Sequence, residues 1–298
     1  MSAQAPVILV TGKNGQVGYE LQRALMPLGT VIAVDRTTMN LADSDSIRAA
    51  VAQIKPDVIV NAAAYTAVDK AESDQEAAMQ INGIAPGVLA EEAKKLNALL
   101  IHYSTDYVYD GTKDGIYVET DATSPVNYYG LSKLAGEQAI EATGVDHLIL
   151  RTSWVYGSRG GNFLLTMLRL MKEREALNVI DDQHGTPTWS RLIAEVTAQI
   201  VKQSLKEKQA AEFASGIYHL TSSGETTWHG FASKIAQLAA DKVDLKIKNI
   251  EKIPTSQYPT PAKRPHNSRI STQAIAARFS LMLPAWDEAL ALCMQDYL

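Results

Sequence analysis

Tyr129 and Lys133 stand four residues apart in the stretch Tyr129 to Glu137, which reads as the start of a helix. Residues at i and i+4 share a helix face. A phenol, with a reference pKa of about 10, is a poor proton shuttle at neutral pH. An ammonium beside it favours the phenolate and moves the group toward the range where acid–base catalysis is efficient. Tyr128 is the competing tyrosine, but its i+4 partner is Ser132, which carries no charge. Tyr/Lys pairs also arise incidentally on helices. Here the catalytic reading gains weight from a glycine pattern upstream and from the hydroxyl-bearing Ser104-Thr105 at the end of an apolar run.

The glycines are Gly12, Gly15 and Gly18, directly after the apolar run Val7 to Val10 and before Val17 to Leu25 at helical spacing. Glycines at this spacing permit a tight turn, let backbone N–H groups approach a pyrophosphate, and let helix and strand pack closely. The helix N-terminus then offers unsatisfied N–H groups and a positive dipole end to phosphates. Glycines also serve ordinary turns, so it is the strand–helix context that makes this a dinucleotide site. Asp35 closes the second apolar run, where an acidic side chain accepts from the adenosine ribose hydroxyls and favours NADH. Arg36 beside it could meet a 2′-phosphate or be a solvated turn residue, which leaves NADH against NADPH open. The runs ending in Asn61-Ala62-Ala63-Ala64 and Ser104-Thr105-Asp106 place small residues where a cofactor could approach, although alanines also serve plain packing.

The elements that must position these residues follow from periodicity. Val31 to Val34, Val58 to Val60, Leu99 to His102 and His147 to Leu150 are short β-like runs. Ser46 to Ile54, Gln75 to Leu96 and a stretch beginning near Val126 are helical. Such alternation predicts an α/β fold, a Rossmann-type doubly wound parallel sheet with ligands at the carboxyl edge of its strands. After Arg151 the alternation fades and six prolines punctuate the chain, four of them between Pro254 and Asn267. Helices are still expected at Leu164 to Glu173, Ser190 to Ser204, Trp228 to Ala240 and Pro284 to Tyr297. The division is a cofactor domain over 1–153 and a smaller α/β substrate-binding region over 154–298, with some segments returning to the core.

With 298 residues, 46% of them hydrophobic, the chain can bury a large core. A net charge of −5 without basic blocks argues against nucleic acid, while leaving room for a small anionic ligand in a local cationic pocket. Cys293, the sole cysteine, has no disulfide or metal company and reads as filler on the apolar face of a terminal helix. Met1 to Pro6 lack the marks of a signal peptide, and no apolar run approaches a membrane span, so the expectation is a cytoplasmic enzyme without a membrane partner.

Together the glycine turn, the Ser/Thr after the fourth strand and Tyr-x-x-x-Lys resemble the extended short-chain dehydrogenase/reductase superfamily. Longer segments narrow the likeness to the dTDP-4-dehydrorhamnose reductase family: Gly12 to Gly18, Asn61 to Glu72, Ser104 to Tyr109, Arg151 to Tyr156 and Arg264 to Ser268. The run Ala67-Val68-Asp69-Lys70-Ala71-Glu72 is far more specific than the glycine turn. The resemblance covers essentially the whole chain. It implies that Tyr129 donates a proton, that Lys133 orients the cofactor and tunes Tyr129, and that Thr105 and Asp106 touch substrate. It makes Trp154 a wall of the sugar pocket, and makes Gly15, Gln16, Val17, Asp35, Asn40, Leu41, Ala64, Tyr65 and Thr66 cofactor contacts. Asn40 departs from the acidic residue often found in the family. Some relatives form homodimers bridged by a metal on glutamates. Glu20 matches one such position and Asp296 could stand for another, but Arg191 takes the place of a third and would repel Mg²⁺.

The implied reaction is hydride transfer to the C4 carbonyl of a dTDP-linked 4-dehydrorhamnose, with Tyr129 protonating the oxygen and Thr105 bonding to it. The diphosphate needs cationic or N–H partners, and Arg264 is the first choice among Lys263, Arg264 and Arg269, a cluster that could also be a solvated basic turn. A dehydratase would carry a glutamate after Asp106, where Tyr107 stands. An epimerase would retain its dinucleotide through purification. A regulatory subunit would bind cofactor without turnover and has no need of both Tyr129 and Lys133.

Overall fold

The structure is a computed structural model that describes residues 5–297; most of the segment Met1 to Pro6 therefore lies outside the described residues. In chain order the elements are β1 (Val7–Thr11), α1 (Gln16–Ala24), β2 (Thr30–Val34), α2 (Ser44–Ile54), β3 (Val58–Asn61), α3 (Val68–Ala71), α4 (Gln75–Met79), α5 (Ala85–Lys95), β4 (Leu99–Thr105), α6 (Tyr128–Thr143) and β5 (His147–Thr152). The second half adds β6 (Val155–Tyr156), α7 (Phe163–Glu173), β7 (Ala176–Ile180), β8 (His184–Gly185), β9 (Thr188–Trp189), α8 (Ser190–Gln209), β10 (Gly216–His219), β11 (Thr226–Thr227), α9 (Trp228–Ala239), β12 (Asn249–Ile253), α10 (Gln273–Phe279) and α11 (Trp286–Tyr297).

Six strands pair in the order β10-β5-β4-β3-β1-β2, all parallel. This is the expected Rossmann-type sheet. Side chains alternate across it. Ile8, Val10, Val58, Val60, Leu99, Ile101, Leu148 and Leu150 pack with α1, α8 and α10. Leu9, Ile59, Leu100 and Ile149 face α2, α5 and α6 instead. Near-continuous apolar strands are what burial on both faces demands, each fully buried Leu or Ile contributing roughly 1.5–3 kcal/mol. The strand order turns back between β1 and β3, whose carboxyl ends, Thr11 and Asn61, are paired neighbours. That reversal opens the crevice where such sheets bind ligands.

A separate core forms from α7, α9, α11, β7 and β12, and it includes the fully buried Cys293. The short strands β6 to β9, β11 and β12 pair only in twos, whereas β10 returns to the large sheet beside β5. The stretch expected as one helix from Gln75 to Leu96 is interrupted by a π-helical turn, Gln80–Ile84. No helix among the described residues is long and apolar enough to cross a membrane.

Candidate active site

Gly12 has φ +69°, and a Cβ there would lie 3.0 Å from the Ala63 backbone. A Cβ on Gly18 would lie 2.1 Å from the Gly12 carbonyl oxygen. These two glycines therefore set β1, α1 and the end of β3 closer together than side chains allow. Gly15, extended at the N-cap of α1, supplies no side-chain cap, so the first N–H groups of α1 keep their capacity for an anionic ligand. Beside this turn is a cleft of about 280 Å³ lined by Gly12, Gly15, Asp35, Arg36, Asn40, Leu41, Ala63 and Ala64, all expected cofactor contacts. The glycine turn and the donors around it fit the adenosine and diphosphate end of a dinucleotide. Gln16, Val17, Gly18, Tyr65 and Thr66 stand outside that lining. Gln16 accepts from Asn162 at 3.0 Å, Val17 packs into the sheet core, and Tyr65 donates through its hydroxyl to Asp74 at 2.9 Å.

Asp35 accepts from the Thr37 N–H and hydroxyl at 3.0 and 2.6 Å and pairs with Lys13 at 2.9 Å. Those contacts, the Thr37 hydroxyl first, hold its carboxyl far below the usual range. Lys13 was not singled out in the sequence. It offsets the charge of Asp35, with Arg36 exposed alongside.

The expected catalytic pair, Tyr129 and Lys133, sits at the start of α6. Asn127 caps the helix by accepting from Gly130 N–H at 2.8 Å, and Glu72 accepts from Tyr128 N–H at 2.8 Å. The specific run from Ala67 to Glu72 thus builds this helix start. Its Asp69 forms a two-pronged pair with Arg264 at 2.9 and 2.8 Å. Arg264 is therefore already engaged by a carboxylate that a diphosphate would have to share, and Arg269 is paired with Glu225 at 3.1 Å.

Tyr129 and Lys133 lie on one turn of α6, but the expected lowering of the phenol by the lysine is not found. Burial pushes Tyr129 up to about 12, against a downward pull from the Thr105 hydroxyl. The reason is geometric: Lys133 Nζ donates to the Tyr103 carbonyl at 2.6 Å and contacts His102 Nε2 at 3.2 Å. Burial draws Lys133 itself down to about 8. Tyr107 stands edge-on to Tyr129, ring centroids 5.6 Å apart. Thr105 donates to Asp106 at 3.1 Å, and the buried Asp106 keeps Oδ2 without a partner. Trp154 stacks on Trp228 at 3.6 Å and holds a left-handed backbone, φ +46°. Gly185 leaves room for its indole, since a Cβ there would lie 2.5 Å from the ring.

Residues missed in the sequence join these parts. Asn82, in the π-helical turn, accepts from Tyr65 N–H at 2.8 Å and donates to the Tyr65 carbonyl and to Ser132 at 3.0 and 3.1 Å. It ties the loop after β3 to α6. Its only signal was an Asn-Gly pair inside a helical pattern.

The family description "RmlD substrate binding domain" matches residues 6–298. The chain is 52% identical over 294 residues to the dTDP-4-dehydrorhamnose reductase of Burkholderia thailandensis, covering 98% of this chain and 99% of that protein. It is 48% identical to the Escherichia coli K12 enzyme of the same name, covering 94% of each. The chain belongs to the dTDP-4-dehydrorhamnose reductase family. A crystal structure of the Bacillus anthracis member in complex with NADP superposes with a TM-score of 0.90 at 32% identity, over 98% of this chain and all of that one. Glu20 and Asp296, the positions that could carry a bridging metal, are engaged otherwise. Arg191 pairs with both Glu20, at 3.4 Å, and Asp296, so a guanidinium holds the place a cation would take. No group of three metal-ligating side chains occurs among the described residues.

Proposed function

We propose that this chain catalyses NAD(P)H-dependent reduction of the C4 keto group of dTDP-4-dehydro-β-L-rhamnose to dTDP-L-rhamnose, the last step of dTDP-rhamnose synthesis. The observation that carries the reading is the meeting of the Thr105 hydroxyl with Tyr129, one turn from Lys133 on α6, in a chain 52% identical to a reductase of that name. The reduced nicotinamide, when bound, supplies the hydride.

The chain's own residues supply the rest. The α1 N-terminus and the glycine turn take the diphosphate of the cofactor. Tyr129, kept protonated by burial, is the proton donor to the carbonyl oxygen, and the Thr105 hydroxyl donates to the same oxygen. Lys133 orients the cofactor and returns a proton to Tyr129. Asp106 offers its unpartnered oxygen to a sugar hydroxyl, Trp154 walls the sugar, and Arg264 reaches the nucleotide diphosphate while held by Asp69. Residues 1–153 carry the cofactor and 154–298 mainly the substrate, with α8, β10 and α10 returned to the core. Asp35 suits a free ribose, whereas Lys13 and Arg36 suit a 2′-phosphate, so both cofactors serve. The same reading keeps the enzyme cytoplasmic and without a required metal.

Purified protein mixed with dTDP-4-dehydrorhamnose should consume NADPH, and NADH, as absorbance loss that persists in EDTA. Cofactor bound without consumption would favour an epimerase or a regulatory subunit instead.

A further inference from the structure

Three neighbouring strands end in polar side chains that meet. The parallel pairing sets Thr11 of β1 beside Asn61 of β3, and Asn61 beside His102 of β4. Laterally paired residues face the same side of a sheet, and on that side α6 brings in Lys133. All four are buried, with exposures of 1%, 1%, 1% and 2%.

The hydrogen bonds run in one direction. Ala63 N–H donates to Thr11 Oγ1 at 3.0 Å, and the Thr11 hydroxyl donates to Asn61 Oδ1 at 2.7 Å. The Asn61 amide then turns its NH₂ toward His102 Nδ1 at 3.0 Å, which must accept. A neutral imidazole has one donor and one acceptor. His102 is neutral, because burial, and then the charge of Lys133, hold it well below its ordinary range. Its proton is therefore on Nε2, 3.2 Å from Lys133 Nζ.

An ammonium presents three N–H donors and no lone pair, whereas an amine presents two donors and one acceptor. Around Nζ lie the Tyr103 carbonyl, which accepts, and the His102 N–H, which donates. The amine matches this surround. The other ionisable groups near Lys133 are few. Glu137, on the same helix, favours the charged form, but it is held in a two-pronged pair by Arg151 of β5 at 2.9 and 2.6 Å. Tyr129 lies one turn away on the same helix, and Asp106 follows β4.

We infer that His102 is a positioning residue whose Nε2–H donates to Lys133 Nζ and stabilises the amine, so that Lys133 exchanges its proton with Tyr129 instead of standing as a fixed cation. This rests on the reading of Tyr129 and Lys133 as the catalytic pair. Once Tyr129 has given its O–H proton to the substrate oxygen, an Nζ–H proton of the ammonium passes to the phenolate. Phenol and amine result, and the amine lone pair accepts from His102. Water supplies the lysine's next proton.

Two measurements test the inference. Long-range ¹H–¹⁵N correlation on histidine-labelled protein reads the tautomer directly. The expected result is a proton on Nε2 and a bare Nδ1, persisting well below pH 6.5; a proton on Nδ1 overturns it. The second is the pH profile of kcat/KM, whose basic limb is expected near 8. His102→Leu removes the donor, so the limb should rise by about one pH unit. His102→Gln can donate from its amide at the Nε2 position and should keep the wild-type limb. A Leu limb left in place or lowered, or a Gln limb that moves with it, overturns the role; a purely structural loss would scale kcat/KM equally at every pH. Should His102→Leu not fold, the Gln profile and the wild-type tautomer still decide. Absence of turnover in the wild type would count against the catalytic reading and leave the tautomer result standing.

Discussion

Asp106 shows how a single residue couples stability to the site. Burial pushes its carboxyl up to about 6, although the Ser268 and Thr105 hydroxyls pull it down. The folded state therefore holds a proton that the unfolded chain releases near pH 4, and stability falls as pH rises through that window. The full effect is roughly 3 kcal/mol. Asp106→Asn keeps the volume and removes the titration. Its thermal midpoint should gain on the wild type progressively between pH 4 and pH 7, read by scanning calorimetry at fixed ionic strength. A difference that stays constant with pH would show that Asp106 is ionised freely. At this scale the sequence was legible where type and spacing decide local geometry, as for the glycines that set β1, α1 and β3 together and for Tyr129 and Lys133 on one turn of α6. Asn61, His102, Asn82 and Lys13 were not legible. Each meets a partner from a separate part of the chain, brought there by strand register for Asn61 and His102 and by packing of turns and helices for Asn82 and Lys13.

Among the elements, the junction of β1 and α1 is the most constrained. Gly18→Ala would put a methyl 2.1 Å from the Gly12 carbonyl, and that contact is to backbone, which cannot swing aside. The helix must shift outward, and the cleft beside it widens. The expected outcome is at least a tenfold weaker NADP⁺ affinity by titration calorimetry, with destabilisation of about 1–3 kcal/mol. Unchanged affinity would mean that the close approach of α1 to β1 is not what binds the cofactor. The strands and helices of the first half were readable because five-residue apolar runs and 3.6-residue periodicity extend over whole elements. The two-residue strands β6, β8, β9 and β11 carry no periodicity at all. The π-helical turn at Gln80–Ile84 breaks the helical ladder only once its Asn82 finds Tyr65 and Ser132.

Over the whole molecule, the second half holds the first in working order. α8 packs along α1 on one face of the sheet, and β10 extends that sheet beside β5. From β10, His219 Nε2 meets the Tyr109 hydroxyl at 2.8 Å. Tyr109 in turn accepts from Arg151 at 2.7 Å. Arg151 grips Glu137, one turn beyond Lys133 on α6, so α6 is fastened through a buried ion pair to both halves. Breaking such a pair on one side leaves an uncompensated buried charge, which ties the geometry of Tyr129 to the entire fold.

That geometry makes one measurement decisive: turnover of dTDP-4-dehydrorhamnose by wild type and Tyr129→Phe, each with saturating NADPH and with cofactor affinity measured in parallel. The prediction is a fall in kcat of about 10²- to 10⁴-fold with NADPH affinity preserved, since the phenol supplies a proton and the glycine turn supplies the binding. A Tyr129→Phe enzyme that turns over near the wild-type rate would contradict the assignment of the proton donor.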